Sequence, residues 1–106
     1  MRHRVVLTQA GLPEPLLDRE VRDPGGRLAG IADAVWPEHG VIAEVESDHH
    51  RTSRSQWARD IEKHRAYAAL GFEVVRLTSA HIRHPHPLAV PMVRDALRRG
   101  GWSSAR

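Results

Sequence analysis

The tetrapeptide Pro37-Glu38-His39-Gly40 stands between two apolar runs and limits what the chain can fold into more than any other feature. Proline presets φ and glycine accepts positive φ, so such a segment turns the backbone sharply. The runs on either side, Leu28–Trp36 and Val41–Ser47, are therefore expected to pair as antiparallel strands. A second turn signal, DPGG at Asp23 to Gly26, folds the segment Leu16–Arg22 back onto the first of these runs. The sequence thus predicts a three-stranded meander.

Alternation along a strand sends Glu44 and Glu46 to one face, and Val41, Ala43 and Val45 to the other. In the preceding run Asp33 falls in register with Ile31 and Val35, on what would otherwise be a buried face. An unpaired carboxylate is costly there. The hairpin register is expected to bring Asp33, Glu44 and Glu46 together at one end of the sheet. Converging carboxylates suit a hard cation. The plainer reading of alternating glutamates, a solvated strand face, stays open on pattern alone.

The rest of the chain supplies helices and one more strand. Residues 4–12 suit a short helix stopped by Gly11 and Pro13. Ser53 and Gln56 have the spacing of a capping box. Beyond them Trp57, Ile61, His64 and Ala68 recur at helical spacing as far as Gly71. This predicts a helix with Trp57, Ile61 and Ala68 toward the sheet, and Arg59 and Lys63 toward its flank. Residues 72–78 read as a fourth strand, 81–87 as a proline-broken loop, 88–99 as an amphipathic helix and 100–106 as a frayed end. His81, His84 and His86 lack an acid or thiolate to complete a tetrahedral site, so they are expected in a surface loop. Trp36 and Trp57 are expected in the core, with stacking on a nucleobase as the alternative for Trp57.

A chain of 106 residues is expected to be one domain, residues 1–106. It has no cysteine, which excludes disulfides and thiolate metal sites and is compatible with a reducing cytoplasm. No apolar run approaches the roughly 20 residues of a membrane span, so no membrane partner is expected. Charge is unevenly spread: residues 1–46 hold five Arg against eight acids, whereas residues 47–106 hold 11 Lys and Arg against five acids. An acidic cluster beside a basic half suits a cation site next to a surface for polyanions.

The order helix, three strands, helix, strand, helix, with a lone acid on the second strand and paired acids on the third, resembles the PD-(D/E)XK nuclease superfamily. More closely the chain resembles short endonuclease-like domains of actinobacteria, relatives of the very-short-patch (Vsr-like) repair endonucleases. The resemblance runs through GLPEP (residues 11–15), DAVWPE (33–38), AEVESDHHRTSRSQWARDIEKH (43–64) and GFEVVRLT (71–78). It implies an α/β (α+β) restriction-endonuclease-like fold of order αβββαβ(α), with a central mixed four-stranded sheet flanked by helices. It further implies a magnesium-dependent hydrolase of DNA phosphodiesters, with Mn2+ as the alternative ion. Members often carry a DNA-binding segment before the nuclease part, so a shortened or stand-alone version is expected here.

Carried over by position, Asp33 matches the lone acid and Glu44 the first acid of the pair, while Glu46 stands where the superfamily has lysine. That departure leaves Glu46 itself, His50 or Lys63 to orient the attacking water. Asp33, Glu44, Glu46 and the Val45 carbonyl are the expected metal ligands, and His50 is the candidate base because an ordinary histidine titrates near ~6.5. Arg51, Arg54, Arg59 and Lys63 are the candidates for phosphate contact, helped by the positive end of the helix dipole. The glutamate at position 46 also keeps open an inactive nucleic-acid-binding module, and the small size a regulatory interaction domain.

Overall fold

The computed structural model describes residues 7–46, 54–83 and 88–103. Residues 7–9 are helical and Gly11 closes their turn, with the Leu12 N–H bonding back to the Leu7 carbonyl at 3.3 Å. Strand β1 (Leu16–Arg22) turns through residues 23–27 into β2 (Leu28–Trp36). Asp23 closes that turn: its carboxylate accepts the Arg27 N–H at 2.9 Å, and its carbonyl the Gly26 N–H at 2.9 Å. A 3-10 turn over Pro37–His39, closed by left-handed Gly40 at φ 66°, leads into β3 (Val41–Glu46). Helix α1 (Arg54–Ala69) follows, then β4 (Glu73–Thr78), the short α2 (Ser79–Arg83) and α3 (Ala89–Arg99).

The sheet order is β1-β2-β3-β4, antiparallel for the first two pairs and parallel for β3 with β4. Such a parallel pair needs a crossover, and α1 provides it. The expected α+β architecture, a mixed four-stranded sheet flanked by helices, is therefore present. Both faces of the sheet are covered. On one, Trp36, Val41, Ala43 and Leu77 pack with Leu7, Ile82, Val93 and Leu97. On the other, Val21, Ala32, Val35 and Ile42 pack with Tyr67 of α1. Trp36 is buried, as expected, and its indole N–H donates to the Pro13 carbonyl at 2.7 Å, tying the N-terminal segment to the sheet.

Several local expectations are corrected. Trp57 is 65% exposed, and Ile61 and Ala68 are exposed too. The stripe of α1 that meets the sheet instead runs through Gln56, Asp60, Lys63 and Tyr67, with Tyr67 its buried residue. Apolar spacing misled because the sheet surface under the first half of α1 is acidic, so polar side chains pack there. Residues 79–83 form a helix, so positions 81–83 are helical where the loop over 81–87 was expected. Thr78 and His81 cap it reciprocally: the Thr78 N–H donates to His81 Nδ1 at 2.9 Å, and the His81 N–H donates to the Thr78 hydroxyl at 3.4 Å. His84 and His86 lie outside the described residues, as do Ser47 and Ser53.

Residues 100–102 are held more firmly than their composition suggests. Trp102 packs against the core, and its N–H bonds the Leu97 carbonyl at 2.9 Å. Gly100 lies against the β2–β3 connection so closely that a Cβ there would sit 1.9 Å from the His39 carbonyl oxygen. Backbone on both sides cannot move apart without opening the contact between α3 and the turn. Gly100→Ala is expected to cost about 2 kcal/mol, read as a lower urea midpoint at unchanged slope.

Candidate active site

The pairing of β2 with β3 stops one rung short of the expected acid pair. Register runs Trp36–Val41, Val35–Ile42, Ala34–Ala43, and the next rung would be Asp33–Glu44. Carboxylates replace it. The Asp33 N–H donates to Glu44 Oε2 at 3.2 Å, and the Val45 N–H donates to Asp33 Oδ2 at 2.8 Å. Each side chain thus holds the other strand's main chain, and the two acids are fixed across a splayed strand end.

The irregularity extends to β1. Asp18 would face Asp33 in the register set by Leu17–Ala34 and Arg19–Ala32, but that rung is missing and Asp18 has φ 52°. Aspartate tolerates this left-handed conformation better than most side chains. Along β2 the alternation breaks at the same level, because Ala32 and Ala34, two residues apart, pack on opposite faces of the sheet. The expectation that Asp33 shares a buried face with Ile31 is corrected accordingly: Ile31 is 55% exposed and Asp33 half-buried. Their face opens into a cavity of about 200 Å3.

That cavity is lined by Asp33, Glu44, Val45 and Glu46 from the strands, and by Gln56, Asp60, Lys63 and His64 from α1. The three acids expected to converge therefore line one cavity. Lys63 reaches down from α1 to place Nζ 2.8 Å from Glu44 Oε1. It does not lie on the flank as the apolar spacing implied. The close seating of α1 depends on Gly30, where a Cβ would lie 2.6 Å from the Tyr67 hydroxyl and 2.7 Å from the Lys63 side chain. Glu44 is the one charged residue buried among those described, so both its oxygens are engaged: one by an ammonium, the other by a main-chain N–H. Glu46 is half-buried and pairs with Arg76 of β4.

Among the described residues no three His, Asp or Glu side chains are set around one point at metal-ligand distance. The donors themselves are hard oxygens, as magnesium prefers. Val45 also suits the role given to its carbonyl, because within a strand the C=O and N–H of one residue point to the same neighbour, and the Val45 N–H points to Asp33.

Three cavity residues were not singled out as catalytic in the sequence: His64, Asp60 and Gln56. Gln56 Nε2 donates to Asp60 Oδ1 at 3.3 Å. Burial, and then the charge of Arg76, hold His64 below the ordinary histidine range, against opposing pulls from Glu44 and Asp60. The shift favours the neutral imidazole over the charged form. Spacing offered one usable signal, since Gln56, Asp60, Lys63 and Tyr67 follow each other at four, three and four residues. The Tyr67 hydroxyl is buried without a partner among the described residues, and burial, Glu44 and Asp33 together raise its pKa, keeping it protonated.

The depressed His64 value fixes the sign of a pH dependence. Its unfolded form takes up a proton more readily than its folded form, so stability is full above about pH 6.5 and falls as pH drops below it. Glu73, lowered chiefly by its bond from Arg99, adds a further loss only below its ordinary value of 4.5. Melting at pH 7.5 and 5.5 should show a drop that His64→Gln makes smaller. An unchanged drop would contradict the assignment.

The remaining candidates are scattered. His50 and Arg51 lie outside the described residues. Arg54 is exposed at the start of α1 and lines neither the acid cavity nor the groove beside it. Arg59 lies on the side of α1 that faces the β1–β2 turn. No described helix is long and apolar enough to cross a membrane. Comparison with family models, with curated proteins and with solved structures gives no match to this chain.

Proposed function

We propose that the protein is a divalent-metal-dependent DNA endonuclease that hydrolyses phosphodiester bonds in the cavity bounded by Asp33, Glu44 and Lys63. The observation that carries this reading is the interlocked acid pair across the splayed end of β2 and β3, with the Lys63 ammonium 2.8 Å from Glu44. Two fixed carboxylates and one cation beside a small open cavity form the charge pattern that phosphate hydrolysis uses.

Asp33, Glu44 and the Val45 carbonyl would hold Mg2+, with Mn2+ as the alternative. Such an ion supplies charge for the phosphate oxygens and makes bound water more acidic. Neutral His64 takes the proton from the attacking water, the role that the sequence assigned to His50. Lys63 offers a mobile point charge to the phosphate, as a lysine does in many phosphate sites. Glu46, paired with Arg76, sets the far wall of the cavity and orients that guanidinium. Arg59 and Lys63, with Arg51 and Arg54, supply contacts to the DNA backbone.

A second reading has its own support. Glu44 and Glu46 each already hold a protein cation, which suits an inactive nuclease-fold module that binds nucleic acid without cutting it. Incubation of purified protein with mixed single- and double-stranded DNA in Mg2+, Mn2+ or chelator separates the two. Cleavage with an ion and none with chelator supports the enzyme. Salt-sensitive binding without cleavage under any condition replaces it with the module.

A further inference from the structure

A second concavity lies on the other side of Lys63. The β1–β2 turn and α1 enclose an open groove of about 610 Å3, within the roughly 300–1,000 Å3 range of small-ligand sites. Its floor is aliphatic, built from Leu28 and Ala29 of β2 and from Ala66 and Leu70 of α1. Cations rim it: Arg27 from the turn, Arg59 and Lys63 from α1. Two carboxylates are present, Asp23 and Glu62, but Asp23 is turned back to accept the Arg27 N–H at 2.9 Å. Lys63 is a wall of both this groove and the acid cavity.

We propose that this groove binds one unstacked nucleotide unit of a nucleic-acid strand, next to the acid cavity. The occupant rests on the nucleic-acid reading above. The groove itself supplies the chemistry: an apolar floor accepts the face of a base, and flanking guanidinium groups accept the phosphates on either side of it. A stacked duplex offers phosphates to the rim but nothing to the floor. Leu28 is 44% exposed at that floor, an apolar surface that a base would cover. Arg27 and Arg59 are thereby assigned to the strand next to the bond to be cut, and Lys63 to the junction.

The test uses the whole protein, a fluorescein-labelled hexathymidylate and chelator, so that no cleavage is involved. Arg27→Ala with Arg59→Ala should weaken binding about tenfold or more and reduce the dependence on log salt by about 1.4, the value for two phosphates of a single strand. Ala66→Leu, which fills the floor without changing charge, should weaken binding several-fold at unchanged salt dependence. Arg83→Ala with Arg98→Ala, an equal loss of charge on the opposite side of the sheet, should change affinity less than about twofold.

Equal losses in the two arginine pairs would overturn the inference in favour of a diffuse basic surface. So would indifference to Ala66→Leu, or a duplex or an acidic peptide bound as tightly with the same dependence on Arg27 and Arg59. Circular dichroism of each variant checks folding. If the groove results hold and no preparation cuts DNA with Mg2+ or Mn2+, the nuclease reading falls and the groove stands.

Discussion

Asp33→Asn is expected to lower metal-dependent cleavage by about three orders of magnitude or more, equivalent to ~4 kcal/mol of transition-state stabilisation. The substitution keeps the shape of the side chain, and its remaining carbonyl oxygen can still accept the Val45 N–H that Asp33 Oδ2 accepts at 2.8 Å. What it removes is the charge that would hold a cation. Because Asp33 is half-buried, loss of that charge lowers the cost of placing it there, so the fold should survive. Binding of DNA, if it rests on Arg27 and Arg59 of the groove as proposed, should change little and keep its salt sensitivity. Single-turnover cleavage, thermal melting and fluorescence anisotropy on one preparation check the three parts. Full cleavage by the variant would remove Asp33 from the mechanism.

The second large effect is expected from Lys63→Ala in the absence of metal. Glu44 is 7% exposed, and without Lys63 its carboxylate keeps, among the described residues, the Asp33 N–H at 3.2 Å. Breaking a buried pair by removing one partner costs several kcal/mol; with the Lys63 side chain 28% exposed, about 2–3 kcal/mol is the appropriate scale. For a chain of this size that lowers Tm by about 10–20 °C. A divalent ion should then restore much of the loss, because it takes the place on Glu44 that the ammonium has vacated, and binding to the folded state alone stabilises it. In the unaltered protein the same ion competes with Lys63, so its stabilising effect should be smaller. Equal shifts with metal in both proteins would show that the ion does not bind at Glu44.

Turn chemistry made the sheet legible. DPGG and PEHG mark the two connections, and β1 and β2 occupy the predicted Leu16–Arg22 and Leu28–Trp36. Period-two alternation likewise placed Glu44 and Glu46 on one face. The orientation of α1 was not legible, because its inward stripe is polar where it covers acids, and the exposed Trp57 and Ile61 carry the apolar period instead. A helix that faces an ionic site reverses the usual rule of burial. The kink at Asp18 and Asp33 was also hidden, since nothing local distinguishes an aspartate at φ 52° from one in an ordinary strand. His64 was visible as a helical neighbour of Asp60, but its lowered pKa comes from burial and then from Arg76, twelve residues further along on β4.

The most direct test of the acid pair as a metal site is anomalous diffraction from crystals soaked in Mn2+. One peak is expected in the cavity, about 2.1–2.2 Å from oxygens of both Asp33 and Glu44, with Lys63 Nζ withdrawn from Glu44 Oε1. A cavity without a peak at millimolar Mn2+, with the ammonium still bound to Glu44, would contradict it.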